Sequence, residues 1–213
     1  MSVLAAGPRV RQATADDLNR LVRVHVAAFP DFFMTRLGRR FLRAYYGMVL
    51  AHPRGILLVA DTPEGVQGFV AGFTDPGRFY TSMRIHAARL AIRAIVGIVR
   101  RPCLWRRLVR TAQGVVRPRT VFTALPDSCE LASLGVSPTY SGKGMGRALV
   151  SAFMAVASEQ GATHVYLTTA ERGNERVNRF YIRLGFVSTG AYVSSGGESK
   201  VRYEVKLPWS APV

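Results

Sequence analysis

The chain has 213 residues with 48% hydrophobic and 20% charged side chains, a balance typical of one globular domain with a single core. Its formal net charge of +16 favours anionic ligands. Its two cysteines, Cys103 and Cys129, exclude a disulfide framework, and neither has a nearby Cys or His to form a metal site. With no signal-peptide pattern and no apolar run of about 18 residues, the sequence predicts a cytoplasmic protein.

The first part of the chain predicts a strand, two helices and a β-hairpin. Thr14 and Asp17 form a capping pair that starts the first helix, and Pro30 ends it. A turn that contains proline and glycine, at 62–65, joins the hairpin strands. The expected elements are a strand at 9–13, helices from 14 to 29 and from 35 to 51, and strands at 55–61 and 66–73.

The stretch from 76 to 126, the arginine-rich insertion, contains eleven arginines and no Asp or Glu. Its apolar spacing predicts two helices that are separated near Pro102. Three interpretations remain open: a cover that lies on an anionic membrane surface, a lid that presents arginines to an anionic substrate, and a solvated insertion or homodimer contact. Nucleic-acid binding is disfavoured, because no recognised motif accompanies the charge.

The last part of the chain predicts a strand, a glycine-rich loop and a further series of helices and strands. The expected elements are a strand at 129–137, a helix at 144–160, a strand at 163–169, a helix at 175–184, and strands at 186–194 and 200–207. No internal repeat is evident, so the pattern predicts one α/β domain over residues 1–213.

The glycine-rich loop, Ser141–Arg147, predicts a phosphate or pyrophosphate site. Alternating glycines let backbone N–H groups converge on one point, and the helix that begins there adds its own free amides. A Walker A loop is excluded because Gly144 follows Lys143, where that motif requires Ser or Thr. The dinucleotide fingerprint is excluded because Arg147 stands in place of its last glycine.

Two flanking segments identify the kind of phosphate ligand. Residues 130–138 read ELASLGVSP before the loop, and residues 174–186 read NERVNRFYIRLGF after the next strand. Together with the loop, these segments resemble the GNAT superfamily of acyl-CoA-dependent N-acyltransferases. The resemblance is firm over 129–187, loose over 9–75 and absent over 76–126. It implies a mixed, mostly antiparallel sheet flanked by helices, in which the strands at 129–137 and 163–169 splay apart to form a slot.

The resemblance also implies acetyl-CoA as cosubstrate and a set of residues that bind it. Ser141 stands where the family usually has Gln or Arg, which removes one side-chain contact, and Val177 replaces the usual Ala. The implied residues are Leu134, Gly135, Val136, Ser141, Gly142, Lys143, Gly144, Met145, Gly146, Arg147, Asn174, Asn178 and Tyr181. No metal is implied.

Acetyl transfer to an amine requires an acid and a base, and the resemblance suggests Tyr181 and Glu130. Tyr181 would protonate the departing thiolate, although its helical spacing is equally that of a core aromatic residue. Glu130 would remove the proton of the ammonium, although a glutamate at a strand end is more often a surface or ion-paired residue. Glu171 is an alternative base.

The function expected from these features is transfer of an acetyl group from acetyl-CoA to a primary amine of a small molecule. The positive field favours an anionic acceptor such as an amino-sugar nucleotide. The alternatives are a protein or peptide Nα-acetyltransferase, and a non-catalytic module that binds acyl-CoA or attaches to a membrane or polyanion. Peripheral attachment to an anionic membrane would use the arginine-rich insertion.

Overall fold

The computed structural model describes residues 8–85, 127–194 and 197–210. The first of these ranges contains strand β1 (Arg9–Gln12), a 3-10 turn (Ala15–Asp17), helices α1 (Leu18–Ala28), α2 (Phe33–Arg36) and α3 (Arg39–Ala51), strands β2 (Gly55–Thr62) and β3 (Gly65–Thr74), and helix α4 (Pro76–Ile85). Most of the arginine-rich insertion, including both of its predicted helices beyond residue 85, lies outside the described residues.

The remaining elements follow the predicted order. They are strand β4 (Ser128–Val136), a 3-10 turn (Pro138–Tyr140), helix α5 (Met145–Glu159), strand β5 (His164–Ala170), helix α6 (Glu175–Arg183), and strands β6 (Val187–Val193) and β7 (Ser199–Lys206). The predicted strands and helices on this side of the insertion are therefore confirmed.

The seven strands form one sheet in the order β1-β2-β3-β4-β5-β7-β6. Every neighbouring pair is antiparallel except β4 and β5, which are parallel, so the mostly antiparallel sheet implied by the resemblance is confirmed. β4 pairs with β5 only from Ser128 to Glu130, whereas its pairing with β3 continues to Val136. The two parallel strands therefore part after Glu130 and leave a slot in the sheet.

Helices cover the sheet on both faces, and each face has its own hydrophobic core. On one face, Leu149 and Phe153 of α5 are fully buried against strand residues, together with Tyr181 of α6. On the other face, Leu21 of α1 and Tyr46 of α3 are fully buried against the central strands. Burial of each such side chain stabilises the fold by about 1.5–3 kcal/mol, so both layers hold the slot-forming strands firmly.

The predicted start of the first helix is confirmed in detail. Thr14 and Asp17 form a reciprocal capping box, and the Asp17 carboxylate also accepts hydrogen bonds from the Arg11 guanidinium at 2.7 and 2.9 Å. The hydrogen bond from Arg11 is the main reason that the pKa of Asp17 lies far below its usual range. This ion pair joins β1 to the start of α1.

The prediction of one continuous helix from 35 to 51 was wrong. The segment is divided into α2 and α3 at Gly38, whose φ of +96° lies in the region that favours glycine. The buried residues of α3 are Leu42, Tyr46 and Val49, so the inner face predicted from the apolar spacing, Phe41, Tyr45 and Met48, was wrong by one position. Apolar periodicity alone did not reveal that α2 is a separate short helix before α3.

Candidate active site

The slot between β4 and β5 exposes backbone groups that have no partner strand. From Leu131 to Val136, β4 pairs on one edge only, and six extended residues span about 17 Å. The register between β3 and β4 shifts at Ala132, which has no partner on β3. This irregularity is where β4 departs from a regular ladder, whereas Gly135 pairs regularly with Phe69 of β3.

Gly135 has a different structural role. A Cβ on Gly135 would lie 2.5 Å from the Phe69 ring, so only glycine lets this aromatic ring pack directly against β4. The neighbouring residues Leu134 and Val136 are half-buried and pack against the core under α5. All three predicted residues of the strand therefore line the singly paired part of β4.

The glycine loop lies at the open end of this slot, between the end of β4 and the start of α5. Gly142 and Gly144 have φ values of +79° and +80°, and Gly144 is the residue before the first helical turn. No atom lies within 4 Å of a Cβ placed on Gly144, so the space beside the loop backbone is open. A Cβ on Gly146 would lie 3.3 Å from the Phe180 ring, so this glycine permits close contact between α5 and α6.

The side chains of the loop have separate surroundings. Met145 is buried in the core, so only its backbone faces the loop. The Lys143 ammonium lies 5.2 Å from the centre of the Tyr140 ring, and Arg147 is exposed. The exposed Ser141 accepts a hydrogen bond at 3.1 Å from Nη2 of Arg176, which belongs to α6.

The two predicted asparagines of the α6 segment both contact the end of β5. Asn174 occupies the N-cap position of α6, but its side chain makes no capping bond and instead donates to Thr169 Oγ1 at 2.5 Å. Asn178 donates to the carbonyl oxygens of Ala170 and Glu171 at 3.2 Å each, so it is not merely solvated. Its Oδ1 atom is buried without a hydrogen-bond partner among the described residues. Such an atom is a candidate acceptor for a ligand amide.

Tyr181 is buried, with 6% of its surface exposed, and packs against Phe180, Phe186 and Tyr203. Burial raises the pKa of its phenol, which therefore keeps its proton at neutral pH. The helical spacing of Val177, Tyr181 and Leu184 predicts one buried face of α6. Tyr181 and Leu184 are buried, whereas Val177 is 37% exposed. The phenol therefore has a proton to donate, and burial makes it a weaker acid than an exposed tyrosine.

Glu130 is buried, with 7% of its surface exposed, and its two carboxylate oxygens accept hydrogen bonds from tyrosines. Tyr80 of α4 donates to Oε1 at 2.9 Å, and Tyr166 of β5 donates to Oε2 at 2.8 Å. The alternative of a surface residue is therefore wrong for Glu130. The Arg202 guanidinium lies 4.0 Å from the centre of the Tyr166 ring, which adds a cation to this polar cluster.

Glu130 and Tyr181 lie on opposite faces of the sheet near the closed end of the slot. Glu130 is the last residue of β4 that pairs with β5. Its neighbours Cys129 and Leu131 belong to the core under α5, so Glu130 points to the other face, since side chains alternate along a strand. Tyr181 belongs to the core under α5. The two candidate groups therefore belong to different faces of the sheet.

Glu171, the alternative base, lies just beyond the end of β5 and is exposed. Its carboxylate accepts a hydrogen bond from the hydroxyl of Ser199, on β7. Its backbone N–H also donates to the Ser199 carbonyl at 3.1 Å. These contacts hold Glu171 at the edge of β7, away from the paired end of β4.

Three residues not predicted from the sequence form a buried polar chain that reaches β4. His25 Nδ1 lies 2.7 Å from Tyr46 Oη, which lies 3.1 Å from Ser133 Oγ. His25 Nε2 is buried without a hydrogen-bond partner among the described residues, and burial lowers the pKa of His25 to about 4. The only sequence signal was a histidine on the apolar face of a predicted helix.

The described ranges contain neither a membrane-spanning helix nor a metal cluster. No helix in residues 8–85, 127–194 and 197–210 is long and apolar enough to cross a membrane. Within the same ranges, no group of three or more His, Cys, Asp or Glu side chains lies close enough together to hold a metal ion.

Comparison with known proteins agrees with this geometry. Residues 18–186 match the model of the acetyltransferase (GNAT) family. Since this match spans most of the chain, the protein belongs to the GNAT acetyltransferase family and is an acyltransferase enzyme. Members of this family use acetyl-CoA as cosubstrate.

Solved structures of distant sequence share the fold. The histone acetyltransferase HPA2 and related acetyltransferase from Corynebacterium glutamicum is 21% identical with a TM-score of 0.60, and the match covers 98% of this chain and 99% of that one. A ribosomal-protein-alanine N-acetyltransferase from Brucella melitensis is 17% identical with a TM-score of 0.60, covering 93% and 99%. A GNAT acetyltransferase from Bacillus cereus is 16% identical with a TM-score of 0.57, covering 94% and 98%.

Proposed function

We propose that this protein transfers the acetyl group of acetyl-CoA to a primary amine of a small molecule. The observation that carries the proposal is the slot between β4 and β5, which opens towards the glycine loop at the start of α5. A ligand with a pyrophosphate and a narrow extended arm fits this combination of a backbone cradle and an unpaired strand edge. Acetyl-CoA has both parts.

Several groups of the chain are suited to hold acetyl-CoA. Backbone amides from Gly142 to Arg147 would bind the pyrophosphate, and the unpaired backbone around Leu134 and Val136 would pair with the pantetheine arm. The buried, unpartnered Oδ1 of Asn178 would accept a hydrogen bond from an amide N–H of that arm. Asn174 would act mainly by fixing the start of α6, because its amide already contacts Thr169.

Acetyl-CoA, when bound, supplies the thioester bond that is broken. We propose that Glu130 removes a proton from the acceptor ammonium through an intervening water, so that the neutral amine can attack the thioester. This carboxylate is buried and is held in place by hydrogen bonds from two tyrosines. We assign proton donation at the departing sulfur to Tyr181, which occupies the tyrosine position of the family motif and carries its proton at neutral pH. An amide near Val136 would stabilise the oxyanion. The base and the acid would act from opposite faces of the slot.

The acceptor is proposed to be anionic, for example an amino-sugar nucleotide. The formal net charge of +16 supports this choice, because a positive field raises the local concentration of anionic substrates. The described part of the insertion also contributes a contact at the site, since Tyr80 of α4 donates to Glu130.

Release of free CoA from acetyl-CoA tests the proposal directly. Purified protein is assayed with amino-sugar nucleotides, neutral primary amines and short peptides that carry free N-termini. We expect turnover with the anionic small amines that falls as ionic strength rises. Turnover with peptides alone would instead establish an Nα-acetyltransferase. Binding of acetyl-CoA without turnover on any amine would indicate a non-catalytic module.

A further inference from the structure

An arginine outside the glycine loop reaches the loop side chain. Arg176 lies in the first turn of α6, and its Nη2 atom donates to Ser141 Oγ at 3.1 Å. The same nitrogen lies 4.0 Å from the position that a Cβ on Gly142 would occupy. A cationic group therefore lies directly beside the backbone that cradles the predicted phosphate.

We infer that Arg176 supplies the side-chain cation of the pyrophosphate site, in the place that a longer side chain at position 141 would otherwise fill. Ser141 is too short to reach a phosphate with a charge of its own. Its hydroxyl instead accepts one of the five guanidinium N–H bonds of Arg176, which fixes the guanidinium and leaves other donors for an anion. The two residues thus act as one unit.

The surroundings of Arg176 leave its charge available. Its neighbour Glu175 accepts a hydrogen bond from the backbone N–H of Gly173 at 3.0 Å, so that carboxylate is turned towards the preceding loop. Within the described part of the chain, no carboxylate forms an ion pair with Arg176. An unneutralised guanidinium beside exposed backbone amides is the arrangement that binds a diphosphate.

Lys143, a cation of the loop itself, is less well placed for this role. Lys143 lies over the ring of Tyr140, whose hydroxyl in turn donates to Glu64 in the β2–β3 turn at 2.5 Å. The Glu64 carboxylate therefore partly offsets the charge of Lys143. Arg176 instead approaches the loop from α6.

The inference rests on the proposed acetyl-CoA site, and the test must separate the two. Calorimetric titration with CoA measures affinity in the wild type, in Arg176→Gln and in Arg179→Gln. Arg179 is the matched control, because it lies one turn further along the same exposed helix and has no bond to the loop among the described residues. The melting temperature of each unliganded variant checks that the fold is intact.

We expect Arg176→Gln to weaken CoA binding about tenfold at low ionic strength, and Arg179→Gln by less than twofold. The difference should shrink at about 0.5 M salt, because the contact is exposed and screened. In the double variant Ser141→Arg with Arg176→Gln, the cation returns from the loop side, and affinity should recover. Dephospho-CoA should show the same tenfold loss, since it keeps the pyrophosphate.

Other outcomes would overturn the inference. Equal affinity in the wild type and Arg176→Gln, or equal losses in Arg176→Gln and Arg179→Gln, would show that Arg176 has no specific role. A loss confined to CoA and absent with dephospho-CoA would move the contact to the 3′-phosphate and contradict the pyrophosphate assignment. Absence of CoA binding in the wild type itself would reject the acetyl-CoA site and not merely the role of Arg176.

Discussion

The two ends of β4 have different surroundings although they belong to one strand. At the first end, Cys129 and Glu130 pair with strands on both sides, and the Glu130 carboxylate is buried between two tyrosines. The second end, Leu131–Val136, pairs with β3 only and leads into the glycine loop. One end holds a fixed side chain, whereas the other offers free backbone.

The two ends of β4 are therefore suited to different tasks, namely positioning a side chain for proton transfer and binding a ligand through the backbone. Full pairing makes the first end rigid, which suits a group that must be positioned for proton transfer. Missing pairs at the second end leave donors and acceptors that a ligand can satisfy, as an added strand would. The boundary between the two ends is Glu130, the last residue of β4 that pairs with β5. It lies two residues before Ala132, which has no partner on β3.

The largest expected effect comes from blocking the glycine loop, which follows the second end of β4. Gly144→Glu places a carboxylate and a side chain in the open space beside the loop, so binding of acetyl-CoA should be lost. Wild-type protein should gain about 2.7 kcal/mol of stability at a hundredfold excess of acetyl-CoA over its dissociation constant, read as a rise in melting temperature.

Gly161→Glu is the matched control for this change. Gly161 also has a positive φ, +83°, and no atom within 4 Å of a Cβ, but it lies at the other end of α5. Both variants should therefore lose similar stability, while only Gly161→Glu keeps the acetyl-CoA shift. A full shift in Gly144→Glu would show that the loop is not the binding site.

The next largest effect is a loss of turnover when Glu130, at the first end of β4, is replaced. Glu130→Gln keeps the shape of the side chain but removes the base, so kcat should fall by about 10³-fold, within the usual range for general base catalysis. Affinity for acetyl-CoA should remain near the wild-type value, because the ligand end is untouched. Glu204→Gln, which alters the nearby carboxylate bonded to Arg202, serves as the comparison. Equal losses in both variants would reject Glu130 as the base.

A smaller effect is expected from the acid on the opposite face. Tyr181→Phe removes only the hydroxyl, so kcat should fall about 10²-fold while folding and acetyl-CoA binding persist. Tyr203→Phe is the control, because Tyr203 is equally buried and stacks on Tyr181. Rates are measured under conditions in which chemistry, and not CoA release, limits turnover. A wild-type rate in Tyr181→Phe would return this residue to a packing role.

The smallest effect is a pH dependence of stability caused by His25, which supports β4 through Tyr46 and Ser133. Burial lowers its pKa to about 4 from an unfolded value of 6.5. The unfolded chain thus binds more protons between these values, so this stability is present above pH 6.5 and is lost as pH falls towards 4. Between pH 7.5 and 5.5 the loss should be about 1.3 kcal/mol.

Urea unfolding at both pH values measures this loss. His25→Gln cannot take up a proton, yet it can still bond Tyr46, so its stability should change less over the same interval by about that amount. An identical pH dependence in the wild type and His25→Gln would show that another group is responsible.

Much of the fold could be predicted because local signals agree with the tertiary structure. The capping pair Thr14 and Asp17, the hairpin turn and the glycine loop all lie where the sequence placed them. The division at Gly38 was missed, because apolar spacing continues across a glycine whose positive φ interrupts the helix. The slot was expected only from the family resemblance, since missing strand pairs leave no trace in residue periodicity.

The site was less predictable, because its contacts join residues far apart in the chain. Loop and strand residues followed from the motif, but the tyrosines that bind Glu130 come from α4 and β5. The same is true of Arg176, whose contact with Ser141 spans 35 positions. Such pairs depend on which elements become neighbours, and one sequence carries no direct signal for that.

Backbone hydrogen exchange with and without acetyl-CoA tests the central claim most directly, because it compares the two ends of β4 in one experiment. Amides in Leu131–Val136 and Gly142–Arg147 should exchange more slowly when acetyl-CoA is bound, since the ligand supplies their missing partners. The amides of Cys129 and Glu130 should not change, because strands already pair these residues on both sides. Protection elsewhere, with no slowing in either predicted segment at saturating acetyl-CoA, would contradict this assignment of the site.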